Sequence, residues 1–171
     1  MPDFVLKAST FSTLTSRSMC EDIPRGATRD TLAAVSWAAR RIEEIPRVPG
    51  DPDWRPLQHA FGLTAFGANV FTATHGDETL VEAHDETESG QEELYVVLEG
   101  EVEFQVGGGS FVAERATVVA VPDPSVTRRA VGRTPGASLL VVGSRPGCFE
   151  STWRSEHFES VPQLGDSRSA K

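Results

Sequence analysis

From Phe61 onward the chain consists of short apolar segments that recur about every ten residues, each closed by Gly, Pro or Asp. We count seven or eight such segments, including ELYVVLEG, EVEFQV and SLLVVGS. Within residues 101–106 apolar side chains alternate with polar ones, which predicts a strand with one buried face and one solvent-exposed face. Several short strands at this spacing are typical of an all-β sandwich or barrel.

The chain outside this strand-rich region has a different character. A helical pattern begins near Asp30, but an extended strand over WAARRIEEI, with Trp37 packed inward, is the alternative that the sequence leaves open. A proline-rich loop follows, and the last residues are predicted to form a short helix and a frayed tail. The predicted organisation is a helical or irregular N-terminal extension (1–34), an entry segment and loop (35–60), a β-barrel (61–150) and a C-terminal helix and tail (151–171).

The charge of the chain is unevenly distributed. The 171 residues include 25 acidic and 16 basic ones, a formal charge of -9, and nine acids lie between Glu82 and Glu103 with no Lys or Arg among them. Such a chain is expected to bind no nucleic acid, because phosphates are neutralised by Lys and Arg. It lacks an apolar run of about 18 residues, so we expect no membrane span. The first residues do not resemble a secretory signal, which predicts a cytoplasmic protein in which Cys20 and Cys148 are free thiols.

The most informative stretch is HDETESGQEELYVVLEGEVEFQV, residues 84–106, in which an acidic loop leads into a strand. Glu93 is followed by six residues and then by Gly100, and a proline-rich turn, PDPSVTRRAV, begins at Pro122. This spacing resembles the two motifs of the cupin superfamily, and the segments WRPL and FGLTAFGAN are similar to those of small bacterial cupin-domain proteins. The resemblance implies an all-β fold: a cupin-type jelly-roll barrel with the N-terminal extension and the C-terminal helix outside it.

The metal-ligand positions implied by the resemblance are largely substituted. Metal cupins hold Fe, Mn, Zn or Ni with two His and one Glu of the first motif and one His of the second. Aligned back from Glu93, the two His positions carry Glu86 and Glu88, and the second-motif His position carries Thr127. A shift of two residues brings in His84, so that His84, Glu86 and Glu93 form an incomplete ligand set. No cofactor is therefore favoured, and a divalent metal (Fe, Zn or Mn) on these three residues is the alternative.

The same residues have a second interpretation that needs no metal. Glu86 and Glu93 inside an apolar barrel would repel each other and lose solvation, and both effects raise a carboxylate pKa toward the range useful for proton transfer. His84, Glu86 and Glu93 are therefore candidate catalytic residues. The alternative is that Glu86 lies on a solvated loop and that Glu93 pairs with an arginine. Arg128 and Arg129 are candidates for that arginine, because strand alternation turns one of them inward.

Further side chains are predicted to contact a substrate. Tyr95 follows Glu93 at the alternating position and so faces the same side of its strand. An inward arginine would bind an anionic group through two hydrogen bonds. Aromatic residues are expected at the wall and at one end of the barrel. The predicted substrate-binding residues are Tyr95, Phe104, Arg128, Arg129, Trp54 and Thr127.

Three classes of function remain open at this point. The favoured one is a non-redox enzyme of the isomerase, cyclase or lyase type that uses the barrel carboxylates as acid and base. The alternatives are a metal-dependent cupin oxygenase using His84, Glu86 and Glu93, and a non-catalytic ligand-binding or sensor cupin. In each case the expected partner is a small organic molecule. A homodimer is also expected, because residues 35–50 could add a strand to the edge of a neighbour's sheet.

Overall fold

The computed structural model describes residues 37–149, 156 and 159–161, which belong to the second of the chain's two compact units, Trp37–Lys171. The predicted extension over residues 1–34, Cys20 and most of the predicted C-terminal helix lie outside the described residues. Cys148 is disulfide-bonded, so the expectation of a free thiol at this position is wrong. None of the described helices is both long and apolar enough to cross a membrane.

Strands account for most of the regular structure between residues 53 and 144. They are rich in Val and also contain Leu and Phe, and their buried residues largely alternate with exposed ones, as expected for strands with one face in a core. The elements in chain order are a short 3-10 helix Ile42–Glu44, β1 Asp53–Pro56, α1 Leu57–Phe61, β2 Gly67–Thr72, β3 Glu78–His84, β4 Glu92–Glu99, β5 Glu101–Val106, β6 Gly109–Glu114, β7 Val118–Val121, β8 Arg128–Gly132 and β9 Ser138–Ser144.

The strands form two antiparallel sheets with a shared core. One sheet has the order β1-β2-β9-β4-β7 and the other the order β3-β8-β5-β6. Their inner faces meet at the aromatic rings of Tyr95 and Phe104, which pack edge to face at 5.7 Å. Buried residues of both sheets, Val97, Val102 and Leu139 among them, complete this core, and each such side chain contributes about 1.5–3 kcal/mol of hydrophobic stabilisation. The predicted all-β jelly-roll barrel is thereby confirmed.

Three local features differ from the expectations. Residues 37–41 have no regular structure, and within the described part of the predicted helix (37–45) the only helical element is the 3-10 turn Ile42–Glu44, which Pro46 follows closely. The proline-rich loop contains strand β1, which lies at an edge of its sheet, where Pro56 is tolerated because edge strands have unpaired positions. The strand expected from Phe61 starts only at Gly67, because residues 57–61 form the short helix α1, closed by the left-handed Gly62.

Candidate functional site

Strands of both sheets bring polar side chains to the same end of the barrel. His84 is the last residue of β3, Arg128 is the first residue of β8, and the two are cross-strand partners. Glu93 lies at the start of β4 in the other sheet, and strand alternation turns it inward, like the buried Tyr95 and Val97. Polar ends of otherwise apolar strands therefore converge at one mouth of the barrel. We call His84, Glu86, Glu93, Tyr95 and Arg128 the mouth cluster.

The imidazole of His84 lies between two carboxylates. Its Nε2 atom is 3.6 Å from Oε1 of Glu86 and 3.6 Å from Oε2 of Glu93. Its Nδ1 atom lies 2.8 Å from the carbonyl oxygen of Glu82, and because a carbonyl can only accept, Nδ1 is the donor. The side chain of His84 is 31% exposed and that of Glu93 only 11%, so a small molecule reaches the imidazole first.

One carboxylate oxygen of Glu93 accepts hydrogen bonds from two buried side chains. Arg128 Nε donates to Oε2 over 2.8 Å, and the Tyr95 hydroxyl donates to the same atom over 2.5 Å. Nη1 of Arg128 donates to the backbone carbonyls of Pro124 and Val126, whereas its Nη2 is buried without a hydrogen-bond partner among the described residues. Arg128 is 1% exposed and is therefore the arginine that faces inward.

The ion pair between Arg128 and Glu93 determines the pKa values of Glu93 and Tyr95. Burial by itself would raise the pKa of Glu93, but the nearby His84 and the hydrogen bonds from Tyr95 and Arg128 outweigh it and lower that pKa to about 2. Burial and the charge of Glu93 raise the pKa of Tyr95, so its phenol keeps the proton that it donates. The expectation of a raised carboxylate pKa is therefore wrong for Glu93, because the Arg128 cation replaces the expected repulsion.

His84 is the member of the mouth cluster best suited to exchange a proton. The interaction with Glu93 raises the pKa of the imidazole, although burial opposes this shift. Arg128 and Tyr95 keep their protons at neutral pH, while Glu93 has lost its own. An imidazole ordinarily titrates close to neutral pH, so the arrangement places a proton carrier beside two negative charges.

The acidic loop over residues 85–91 positions Glu86 through backbone and side-chain contacts. The amide of Glu86 donates to the Pro124 carbonyl over 2.8 Å, and the Gly90 amide donates to the Glu86 carbonyl over 2.7 Å. The Ser89 hydroxyl donates to the Glu86 carboxylate. Arg145 Nε donates to the carbonyl of Ser89 over 2.6 Å, and nothing in the sequence points to this contact, which joins residues 56 positions apart.

The donor atoms of His84, Glu86 and Glu93 can be compared with the needs of a divalent metal. One atom from each residue lies within 4.8 Å of the others, so the three could converge on an ion. However, Oε2 of Glu93 already accepts hydrogen bonds from Arg128 and Tyr95. A divalent ion here would also face the fixed positive charge of Arg128 at close range. The residues therefore do not fit a tightly bound metal.

The other predicted site residues are dispersed. Phe104 is 1% exposed and belongs to the core, while Glu88 and Thr127 are exposed. Arg129 donates through Nη2 to the Thr79 hydroxyl over 3.0 Å, and with Thr127 it lines an open groove of about 440 Å³. Trp54 stacks on Phe71 at 6.1 Å and donates from Nε1 to Asn69 over 2.9 Å. Because core side chains fill the middle of the barrel, a ligand would sit at its mouth.

No family model and no curated protein matches this chain. Solved structures do: a sugar phosphate isomerase of the cupin superfamily from Silicibacter pomeroyi DSS-3 is 24% identical, with a TM-score of 0.52 over 63% of this chain and 76% of that one. A cupin protein from Bacteroides fragilis is 16% identical, with a TM-score of 0.55 over 76% of this chain and 99% of that one. The match to a structure from Acidithiobacillus ferrooxidans spans 59% of the length of that protein. At these identities the likeness concerns the fold alone.

Proposed function

Because this chain has the jelly-roll fold of the cupin superfamily, we propose that it is a small-molecule cupin catalysing proton transfer without redox chemistry. The reaction class is that of an isomerase, cyclase or lyase. One observation carries the proposal: Nε2 of His84 lies 3.6 Å from carboxylate oxygens of both Glu86 and Glu93, at the partly exposed mouth of the barrel. A base held between two carboxylates gains proton affinity and is fixed in direction.

The residues of the mouth cluster take different roles in this proposal. His84 removes a proton from the substrate through Nε2, because Nδ1 is committed to the Glu82 carbonyl. Glu93 remains ionised and stabilises the imidazolium, and Arg128 and Tyr95 hold Glu93 in place. The protonated His84 then returns the proton to another atom of the substrate or to a leaving group. The enzyme is unchanged after one cycle, so the step needs no co-reactant.

The substrate class for a first screen comes from the structural neighbours. The Silicibacter pomeroyi protein is described as a sugar phosphate isomerase. A proton moved between adjacent carbon atoms of a sugar is within the chemistry of one imidazole and a neighbouring carboxylate. Sugar phosphates are therefore the first substrates to test. A cytoplasmic location and a homodimer stay predictions.

The test is turnover of a sugar phosphate panel by the wild type and by His84→Gln. We expect the variant to lose about 10²- to 10⁴-fold in kcat, the usual contribution of a general acid or base. His75→Gln is the matched control, because His75 also lies near a carboxylate, at 3.7 Å from Glu78, but in an exposed turn. Full activity of His84→Gln on a substrate that the wild type turns over would contradict the proposal.

A metal-dependent oxygenase is the second candidate, since the donor atoms of His84, Glu86 and Glu93 lie within 4.8 Å of one another. Metal analysis separates the two candidates. We expect the dialysed protein to contain far less than one Fe, Zn or Mn per chain, because Arg128 already balances Glu93. A stoichiometric metal that resists dialysis, and that is lost in Glu86→Gln, would establish the oxygenase alternative instead. Ligand binding without any turnover would favour a sensor.

A further inference from the structure

Two glycines lie in line with Glu93 across neighbouring strands on the inner face of the five-stranded sheet. Gly143 on β9 pairs with Glu93 on β4, and Gly67 on β2 pairs with Gly143 on its other side. Directly paired residues of antiparallel strands point to the same face, so both glycines face the mouth of the barrel. At these two positions, on β2 and β9, no side chain covers the backbone of the sheet next to the mouth cluster. We call these two residues the glycine floor.

The glycine floor is not required by backbone conformation. Neither Gly67 nor Gly143 has a positive φ, so other residues could adopt the same backbone. A Cβ at Gly67 would meet only the carbonyl oxygen of Gly143, at 3.6 Å, and would otherwise extend into open space. The missing side chain of Gly67 thus leaves a space open on the inner face of the sheet, whereas the space above Gly143 is bordered by the side chains of Gln91 and Glu93.

Gln91 borders this space. A Cβ at Gly143 would lie 2.9 Å from the side-chain oxygen of Gln91, so the Gln91 amide extends over the glycine floor. The backbone N–H of Gln91 donates to the Ser89 hydroxyl over 3.2 Å, which connects it to the loop that holds Glu86. Its side-chain amide makes no hydrogen bond within the described part of the chain. This partly buried amide can therefore both donate to and accept from a ligand.

We propose that the glycine floor and Gln91 form a subsite for the hydroxyl-bearing part of the substrate, a neutral polyol-like group. Glu86 and Glu93 disfavour an anion at this place, whereas a hydroxyl can donate to a carboxylate and accept from the Gln91 amide. Nη2 of Arg128, which has no hydrogen-bond partner among the described residues, is buried on the same edge of the guanidinium as the Nε that donates to Glu93. The subsite deepens the proposed function and rests on it.

The test is calorimetric binding of three probes: glucose, glucose 6-phosphate and succinate, a dianion without hydroxyls. Wild-type protein is expected to bind both sugars and not succinate. Gly67→Ala and Gly67→Val fill the floor stepwise and should weaken sugar binding progressively, by about tenfold or more for valine, since the ligand space is lost. Gln91→Ala, on a partly exposed loop residue, should cost roughly 2- to 10-fold, the effect of one hydrogen bond.

Ala120→Val is the matched control, because it adds bulk to the same sheet on its exposed outer face, as shown by its pairing with the exposed Leu94. It should leave sugar binding within about twofold of wild type. The proposal is overturned if neither sugar binds the wild type, if succinate binds as tightly, or if the Gly67 and Gln91 variants all bind like wild type. His84→Gln separates the two proposals, because this variant should still bind the sugars but should no longer turn them over. If the wild type binds the sugars without turning any of them over, only the proposed function is contradicted.

Discussion

Glu93 is the residue on which the charge balance of the mouth cluster depends. Its pKa is about 2 in the folded protein against an ordinary value of 4.5. A carboxylate whose folded pKa is lowered stabilises the protein above pH 4.5, and this contribution disappears as the pH falls from 4.5 through 2. The difference between the two pKa values corresponds to roughly 3 kcal/mol.

We therefore expect Glu93→Gln to be less stable than wild type by roughly 3 kcal/mol at neutral pH, with the gap narrowing toward pH 2. Urea unfolding between pH 2 and pH 7 measures the free energy of unfolding of both proteins and hence the size of the difference and its dependence on pH. Glu92→Gln is the control, since Glu92 is exposed and lies next to Glu93 on the opposite face of β4. A gap that is constant with pH would contradict the lowered pKa of Glu93.

His84 provides a second prediction for a single residue. Its pKa in the folded protein lies above the ordinary 6.5, chiefly because of Glu93. A histidine with a raised pKa stabilises the fold below pH 6.5, and this contribution is lost as the pH rises through the folded value. An NMR titration should find the His84 pKa above 6.5 in wild type and lower in Glu93→Gln.

His75 is the internal reference in the same spectra, since its raised pKa comes from the Gly76 carbonyl and from Glu78, away from Glu93. The His75 pKa should be the same in both proteins. An equal fall of both histidine pKa values would indicate a general loss of structure in place of a lost contact. A His84 pKa below 6.5 in wild type would contradict the close approach of the Glu93 carboxylate to the imidazole.

At the scale of elements, the turn between β4 and β5 depends on Gly100. This glycine has φ +68, and a Cβ there would lie 2.6 Å from the Thr134 hydroxyl and 2.9 Å from Cα of Ala137. Gly108, in the turn between β5 and β6, has φ +83 with open space around it. Both Gly→Ala variants incur about 1 kcal/mol of backbone strain. Gly100→Ala should be destabilised by at least about 1 kcal/mol more, owing to the clash.

Thermal unfolding of Gly100→Ala and Gly108→Ala measures this difference. Equal losses in the two variants would mean that the turn relaxes around the added methyl group. The sequence identified Gly100 through its spacing from Glu93. It did not reveal that residues 134 and 137 pack against this glycine, because those contacts depend on how the β8–β9 connection folds back.

The acidic loop is the second element with a testable role. Ser89 donates to the Glu86 carboxylate, so removal of its hydroxyl frees Glu86 and loosens the turn closed by the Gly90 amide. Ser89→Ala should accelerate hydrogen exchange of the Gly90 amide about 2- to 10-fold, equivalent to one hydrogen bond. Ser110→Ala removes a comparable hydroxyl, which donates to Glu103 over 2.9 Å, and should leave that amide unchanged. Unaltered exchange in Ser89→Ala would contradict this role.

For the whole molecule, the entry segment is the surface where we expect a second copy to bind. Trp37 is 79% exposed and Ile42 is 38% exposed. Val48 of the same segment forms a bridge with Trp54 of the edge strand β1. Exposed apolar side chains beside a sheet edge favour association with another chain. Light scattering should therefore give twice the chain mass of 18.5 kDa.

The double variant Trp37→Ser, Ile42→Ser should shift the mass toward that of one chain. Leu63→Ser is the control, because Leu63 is 41% exposed but lies outside the entry segment. A wild-type mass of one chain at micromolar concentration would contradict the dimer. A dimer that survives the double variant would place the interface elsewhere on the barrel.

Local pattern predicted the all-β class of this chain. Alternation of apolar and polar residues, with Gly and Pro between the segments, identifies strands because the period of two is a property of neighbouring residues. The spacing of Glu93 and Gly100 added the jelly-roll topology by resemblance. Residues 37–45 lack a clear pattern of apolar residues, and their structure was therefore ambiguous from the sequence. Packing and Pro46 determine the structure of this segment more than the spacing of its apolar residues does.

The chemistry of the mouth cluster was decided by the tertiary structure. The sequence selected His84, Glu86 and Glu93 and named Arg128 and Arg129 as candidate partners of Glu93. It could not show which arginine faces inward, nor that Nε of Arg128 lies 2.8 Å from the Glu93 carboxylate. That contact lowers the pKa of Glu93 where burial alone would have raised it. The sign of a pKa shift depends on distances between charges that are far apart in the chain, and only folding determines those distances.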